Sequence, residues 1–317
     1  MVAARPAGSE RPLRRLGYRW LGGAFDYLLH LRPAEWPIMA AHTAVGYLLA
    51  VGLGGAVRGE QVGPALGGLL IWVLLLNGGT LAINSAFDRD EGDIGYLEAP
   101  PPAPRYLAHF AVALLAAGQL LALLLPRGYA WAYAICLGMS LAYSVPPLRL
   151  KAVAGFDWVI NMVGFGTLTA YAGFAATGRP LDLAHGLVLA AFCPLFASLY
   201  PLTQFYQFEE DRQRGDRTLA LILGLRRSLL VAIGAALVAF LCLVAAGWQS
   251  DWGADGTDLF RWGGLAVAAT AWMGLLLPWY RRSREMTSAE HQAGMYAGLR
   301  AWALTDVVVI LAWGLYN

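Results

Sequence analysis

The chain has 317 residues, 58% of them hydrophobic and only 14% charged, with twelve tryptophans. Soluble domains carry about 25% charged residues, so this balance excludes an ordinary soluble domain and points to a membrane protein. A net charge of +2 gives no reason to invoke nucleic acid, and Cys136, Cys193 and Cys242 lie in separate apolar runs without CxxC spacing, which excludes a disulfide framework and a zinc site.

In chain order, residues 1–29 are basic and polar (Arg5, Arg11, Arg14, Arg15) and no apolar signal segment follows them. They read as an uncleaved, flexible cytosolic tail. Residues 30–317 read as one all-α transmembrane domain. A bilayer core of about 30 Å needs roughly 20 apolar residues per helix. Runs of that kind lie near 37–57, 64–87, 105–125, 128–146, 156–177, 184–207, 227–248, 260–280 and 293–315, which predicts nine transmembrane helices. Placing the N-terminus inside assigns eighteen Lys and Arg to the cytoplasmic side. The other side receives four, Arg58, Arg127, Arg179 and Arg261. Basic residues accumulate in cytoplasmic loops, so the expected topology is N-terminus cytoplasmic and C-terminus outside.

The second and sixth spans end in similar clusters. "DRDEGD" occupies 88–93 and "DRQRGD" occupies 211–216, with Asn84 and Gln207 four residues before the leading Asp of each. Both copies read [N/Q]-x-x-x-D-R-x-x-G-D, and both fall on the cytoplasmic side. Helical spacing puts Asn77, Thr80, Asn84, Asp88 and Glu91 on one stripe, and Tyr200, Gln204, Gln207 and Asp211 on another. Polar stripes facing lipid are costly, so both should face a polar cavity inside the bundle, open to the cytoplasm. Oxygen donors without His or Cys suit Mg2+, which is held by few carboxylates together with substrate phosphates. Arg89, Arg149, Lys151, Arg212, Arg214 and Arg217 lie in the same connections. Acid-held metal beside cations is suited to a phosphorylated anion whose charge grows as it leaves.

These motifs resemble those of the UbiA family of intramembrane prenyltransferases. The family's first motif, N-D-x-x-D-x-x-x-D, resembles Asn84-Ser85-x-x-Asp88-x-Asp90-x-x-Asp93, with Asp93 one residue late for the third acid, Gly92 in its place, and Asp90 or Glu91 as substitutes. Its second, D-x-x-x-D-R-x-x-G, corresponds to Gln207-x-x-x-Asp211-Arg212-x-x-Gly215. "YSVPPLRLK", Tyr143 to Lys151, is similar to the family's Tyr-Ser-x-Pro-Pro segment. The resemblance spans residues 30 to 315 and implies nine helices in a bacterial or archaeal cell membrane. It implies a polyprenyl diphosphate donor, bridged by Mg2+ to Asn84, Asp88 and Asp211, with Asp90, Glu91, Asp93 and Gln207 completing the metal set. Lys151, Arg212, Arg89, Arg149 and Arg217 would hold the diphosphate. Tyr143, Tyr200, Phe205 and Tyr206, with Gln204, would line the prenyl and cation pocket, and Asp88, Asp211, Lys151 and Tyr143 are the catalytic candidates.

Two departures stand out: Ser85 and Gln207 each replace an acid, and Gln207 is expected to hold metal more weakly. The prenyl group passes to a small lipophilic acceptor, aromatic ones included. The alternative is a UbiA-type terpene cyclase with no external acceptor. A transporter would place its site near the midplane, whereas these acids cluster at one face. Glu35 and His42 are candidates to orient an acceptor. Asp157, Asn161 and Asp306 are expected to pair within the bundle, with Arg300 a candidate partner for Asp306.

Overall fold

The structure, a computed structural model, describes residues 12–88, 97, 99–208, 212, 215 and 217–315, with only the backbone of Gln207. Its helices are α1 (Pro12–Leu21), α2 (Ala24–His30), α3 (Trp36–Val57), α4 (Val62–Leu70), α5 (Gly78–Asp88), α6 (Leu107–Ala122) and α7 (Arg127–Ser144). They continue with α8 (Phe156–Asn161), α9 (Thr169–Ala176), α10 (Leu183–Gln204), α11 (Leu219–Gln249), α12 (Gly256–Arg282) and α13 (Ser288–Gly314). π-helical turns at Ile71–Asn77 and Met162–Leu168 join α4 to α5 and α8 to α9 into continuous rods.

Among the described residues, helices occupy all nine expected intervals, and seven rods are long and apolar enough to cross a membrane. The other two are α6, a shorter apolar helix of 16 residues, and α7, which has 18. One boundary differs from expectation for a physical reason. The ninth span begins at Ser288, five residues early, because a polar cap starts the helix before its apolar stretch. The seventh is preceded by a capped turn from Leu219 that breaks at Gly224 (φ 69°, ψ 168°), so its unbroken helix begins close to the expected position. The Thr218 hydroxyl accepts from the Leu221 amide, and Thr287 forms a reciprocal capping box with Glu290. Residues 12–30 also differ from the flexible tail expected, since they form α1 and α2. Tyr18 ties the two helices by donating to Asp26 Oδ1 at 2.7 Å and packing edge-on against Phe25.

The largest apolar core cluster joins α3, α9, α10, α11, α12 and α13. Backbone approach is closest between α3 and α9. A Cβ added at Gly46 would fall 1.7 Å from the Ala170 carbonyl oxygen, and one at Gly173 would fall 1.8 Å from that of Thr43. Membrane helices use such small residues because close packing replaces the hydrophobic force that lipid does not supply. The outward surface carries exposed Leu120, Leu124, Trp131, Leu241 and Val267, the composition of a lipid-facing wall.

The two ends of the bundle differ. The end bearing Asp88, the motif end, also receives residues 99–107, 145–155, 205–208 and 217–218. At the other end Arg58 donates to Glu60 Oε1 at 2.8 Å, and Arg179 also pairs with Glu60. The hydrogen bonds from Arg58, with the charge of Arg179, hold the Glu60 carboxyl below the usual carboxylate range.

Candidate active site

The last turn of α5 carries Asn84 and Asp88, one turn apart and therefore on one face. Beyond α7, the chain turns through Pro146 and Pro147, passes Arg149 in the left-handed region (φ 34°), and forms a short 3-10 turn at Leu150–Ala152. That turn aims Lys151 back at α5. Its ammonium donates to Asn84 Oδ1 at 3.0 Å and to the Asp88 carboxylate. Arg149 lies 3.7 Å from the same Asp88 oxygen, and Ser144 donates to Asn84 Oδ1 at 3.4 Å. The Asp88 and Lys151 side chains are 7% and 12% exposed. Charges taken out of water this far are costly unless matched, and here each is matched by the other.

Lys151 is the single lysine in a chain with 22 arginines. A compact ammonium fits between the two α5 oxygens, whereas a planar guanidinium presents its donors as a wide fork. Composition alone held this signal, and spacing arguments overlook it.

The second motif's connection is tied to the first. Val153 and Arg217 form an isolated parallel bridge, with the Arg217 amide donating to Ala152 O at 3.2 Å. Asp157 secures the same junction, accepting from the Gly155 amide at 2.8 Å and the Leu219 amide at 3.1 Å. Asn161 donates to Asp157 O at 2.8 Å. The residues flanking Lys151 are therefore tied to Arg217 and Leu219.

Deeper along the helices, the Tyr143 and Tyr200 hydroxyls meet at 3.1 Å, joining α7 to α10, and Gln204 donates to the Tyr200 hydroxyl at 3.3 Å. Tyr200 stacks on Phe196 (6.2 Å between centroids), and Phe196 stacks on Phe165 (5.7 Å). Phe196 and Phe165 were missed by the sequence reading. Phe196 had a usable signal, lying four residues before Tyr200 on the same helix face.

Other candidates lie elsewhere. Phe205 packs edge-on against Phe208, Trp279 and His291 in the apolar core, away from the Tyr143–Tyr200 pair, because it sits one turn past Pro201 on a different face. Tyr206 lies beside the start of α13, its carbonyl accepting from Ser288 at 3.4 Å. Arg212 and Arg217 are exposed. Arg89, Asp90, Glu91, Asp93, Asp211 and Arg214 lie outside the described residues, as does the Gln207 side chain.

Asp306 is paired with His42 rather than with Arg300, which is exposed on the helix surface. His42 Nδ1 is 3.2 Å from Asp306 Oδ1, and its Nε2–H donates to Gly166 O at 2.9 Å. The sequence interval of 264 residues hid that pair. Glu35 lies 3.5 Å from Arg32, which also reaches Ser85 Oγ at 3.5 Å and is itself buried. Arg32, missed from sequence, thus faces the position where the family carries an acid.

The donor set fits Mg2+ as far as it is described. Asn84 Oδ1 and Asp88 Oδ1 already converge on one cation, the Lys151 ammonium, and both are hard oxygen donors. Among the described residues no three His, Cys, Asp or Glu side chains gather into a fuller metal cluster.

An apolar helical bundle with seven rods long enough to cross a membrane, and with carboxylate, amide and lysine gathered at one end, has the architecture of an intramembrane enzyme. The chain is a member of the UbiA prenyltransferase family, whose pattern matches residues 41–302, and it is a prenyl-transferring enzyme. A digeranylgeranylglyceryl phosphate synthase from Natronomonas pharaonis is 28% identical over 295 residues, covering 88% of this chain and 96% of the relative. One from Methanothrix thermoacetophila is 27% identical over 219 residues, 67% of this chain and 76% of that protein. The fold is shared with a UbiA homolog from Archaeoglobus fulgidus solved with GPP and Mg2+. That comparison has a TM-score of 0.64 at 19% identity, covering 90% of this chain and 99% of the other. The same homolog bound to DMAPP and Mg2+ gives 0.61 at 19% identity, covering 89% and 99%.

Proposed function

We propose that this enzyme transfers a polyprenyl group from its diphosphate to a hydroxyl of an isoprenyl glyceryl phosphate lipid, at the cytoplasmic ends of nine transmembrane helices. The observation that carries the reading is Lys151, held between Asn84 and Asp88 beside Arg149. The acceptor class comes from the names of the relatives, matched over 88% and 67% of this chain.

Asn84, Asp88 and Asp211 would hold Mg2+, which when bound neutralises charge on the diphosphate. Lys151 and Arg149 bind diphosphate oxygens and stabilise the charge that builds there as the allylic C–O bond breaks. In binding them, Lys151 exchanges its contact with Asp88 for one with substrate. Tyr143 and Tyr200 turn aromatic faces to the allylic cation, worth roughly 0.5–2 kcal/mol each. The Phe165–Phe196–Tyr200 column flanks the prenyl chain and excludes water that would quench the cation. The acceptor oxygen then bonds to the prenyl carbon, and its proton leaves with the diphosphate. Arg32, buried between Ser85 and Glu35, would take the acceptor's phosphate by exchanging one of those contacts.

Purified protein in nanodiscs, given geranylgeranyl diphosphate and Mg2+, tests this reading against an acceptor panel. A product formed only with geranylgeranylglyceryl phosphate supports it. A product formed only with an aromatic acceptor overturns the acceptor class, and a cyclic product without any acceptor overturns transfer.

A further inference from the structure

The amphipathic helix α1 plays no part in the chemistry above. Only Arg14 of its ten residues is buried. Leu13, Leu16 and Trp20 share one stripe and are 81%, 50% and 78% exposed, with Leu21 beside them at 46%. Arg15 and Arg19 flank the stripe, also exposed. The opposite face is committed to the protein: Tyr18 bonds Asp26, the Phe25 ring covers Gly17, and Arg14 donates to Ala99 O at 2.8 Å. Ala99 belongs to the connection that begins directly after Asp88.

Ten residues span about 15 Å, too short to cross a bilayer. The chain turns at Gly22 (φ 53°) before α2, which runs into the first membrane span. The helix is therefore tethered where that span meets water, with an apolar stripe and basic flanks. Leu and Trp on one face with Arg beside them match an acyl layer under anionic headgroups.

We infer that α1 lies in the plane of the membrane surface at the motif end. Leu13, Leu16 and Trp20 sit among acyl chains, and Arg15 and Arg19 lie against anionic lipid phosphates. Through Arg14 the same helix also holds Ala99. The inference stands on the geometry of α1 and is independent of the acceptor.

The test places a nitroxide at Leu16→Cys, Trp20→Cys or Arg15→Cys, in a parent carrying Cys136→Ala, Cys193→Ala and Cys242→Ala, in phosphatidylglycerol nanodiscs. Labels at 16 and 20 are expected to collide more with dissolved oxygen than with an aqueous nickel chelate, and the label at 15 the reverse. Equal aqueous access at all three sites overturns the inference. Protection of 16 and 20 from both reagents also overturns it, since a second copy or another protein would then cover the stripe. Trypsin applied to the unsubstituted protein gives the same test without relying on a cysteine-free parent. Each Arg near an anionic surface changes binding about five-fold. Cleavage after Arg15 and Arg19, relative to Arg284, should slow by at least that factor in phosphatidylglycerol compared with phosphatidylcholine. Equal ratios in the two lipids would remove the headgroup contact.

Discussion

Asp88 accepts from Lys151 and lies next to Arg149, so the Asp88→Asn variant keeps a similar shape while losing the charge that both cations answer. Removing one preorganised electrostatic contact to a developing charge costs about 10²–10³-fold in rate. Asp88→Asn is therefore expected to stay folded but melt below wild type, because it leaves the buried Lys151 ammonium without its counter-charge, and to lose prenyl transfer by at least that factor at temperatures where both proteins are folded. Near-normal Mg2+-dependent activity would take Asp88 out of the site. Gln207 makes a subtler case, because a second carboxylate in a partly buried site attracts a divalent ion more strongly. Gln207→Asp should lower the Mg2+ concentration for half-maximal activity; a variant that melts early with an unchanged requirement contradicts that role. At this scale, the Asn84–Asp88 pair was legible because helical spacing fixes which residues share a face. The partners Arg32 of Ser85 and His42 of Asp306 were not, because tertiary packing alone joins residues so far apart in sequence.

Among the elements, α3 and α9 test the packing account. Gly173→Val would drive a side chain into the Thr43 carbonyl, where even a Cβ lies 1.8 Å away. Overpacking of well-packed cores costs about 1–3 kcal/mol and more when backbone must move. Gly173→Val is expected to melt well below wild type, whereas Gly274→Ala, with open space around its Cβ, should melt within a degree or two. Equal melting of the two would show that the α3–α9 approach contributes nothing. Element existence was readable because runs of about 20 apolar residues have few other uses in a chain this hydrophobic. The element start was less so at α13, where hydropathy registers the apolar interior but the helix begins at a polar cap. The helicity of residues 12–30 was obscured by the arginines there, which read as tail composition although they alternate with Leu and Trp at helical spacing.

For the whole molecule, the orientation rests on the distribution of arginine, and both motif connections should face the cytoplasm. A Gly215→Cys protein is expected to react with a membrane-impermeant thiol reagent in inverted vesicles and to stay unlabelled in intact cells, with the parent protein as control for the native cysteines. Gly215 is exposed, so access is governed by the membrane side. The general architecture was legible because a membrane imposes a simple rule on length and charge; the joining of the two motif connections through Val153 and Arg217 was not, because one backbone bridge leaves no periodic trace.

The central claim is that a prenyl diphosphate is ionised beside Asn84, Asp88 and Lys151. Single-turnover transfer of radiolabelled geranylgeranyl diphosphate, in nanodiscs with Mg2+ and saturating acceptor, measures that step for wild type and for Lys151→Met. Wild type should release diphosphate and form labelled lipid in equal amounts. Lys151→Met, assayed below its own melting temperature because Asp88 loses its buried partner, should do so about 10²-fold or more slowly. Equal single-turnover rates in the two proteins would contradict the account.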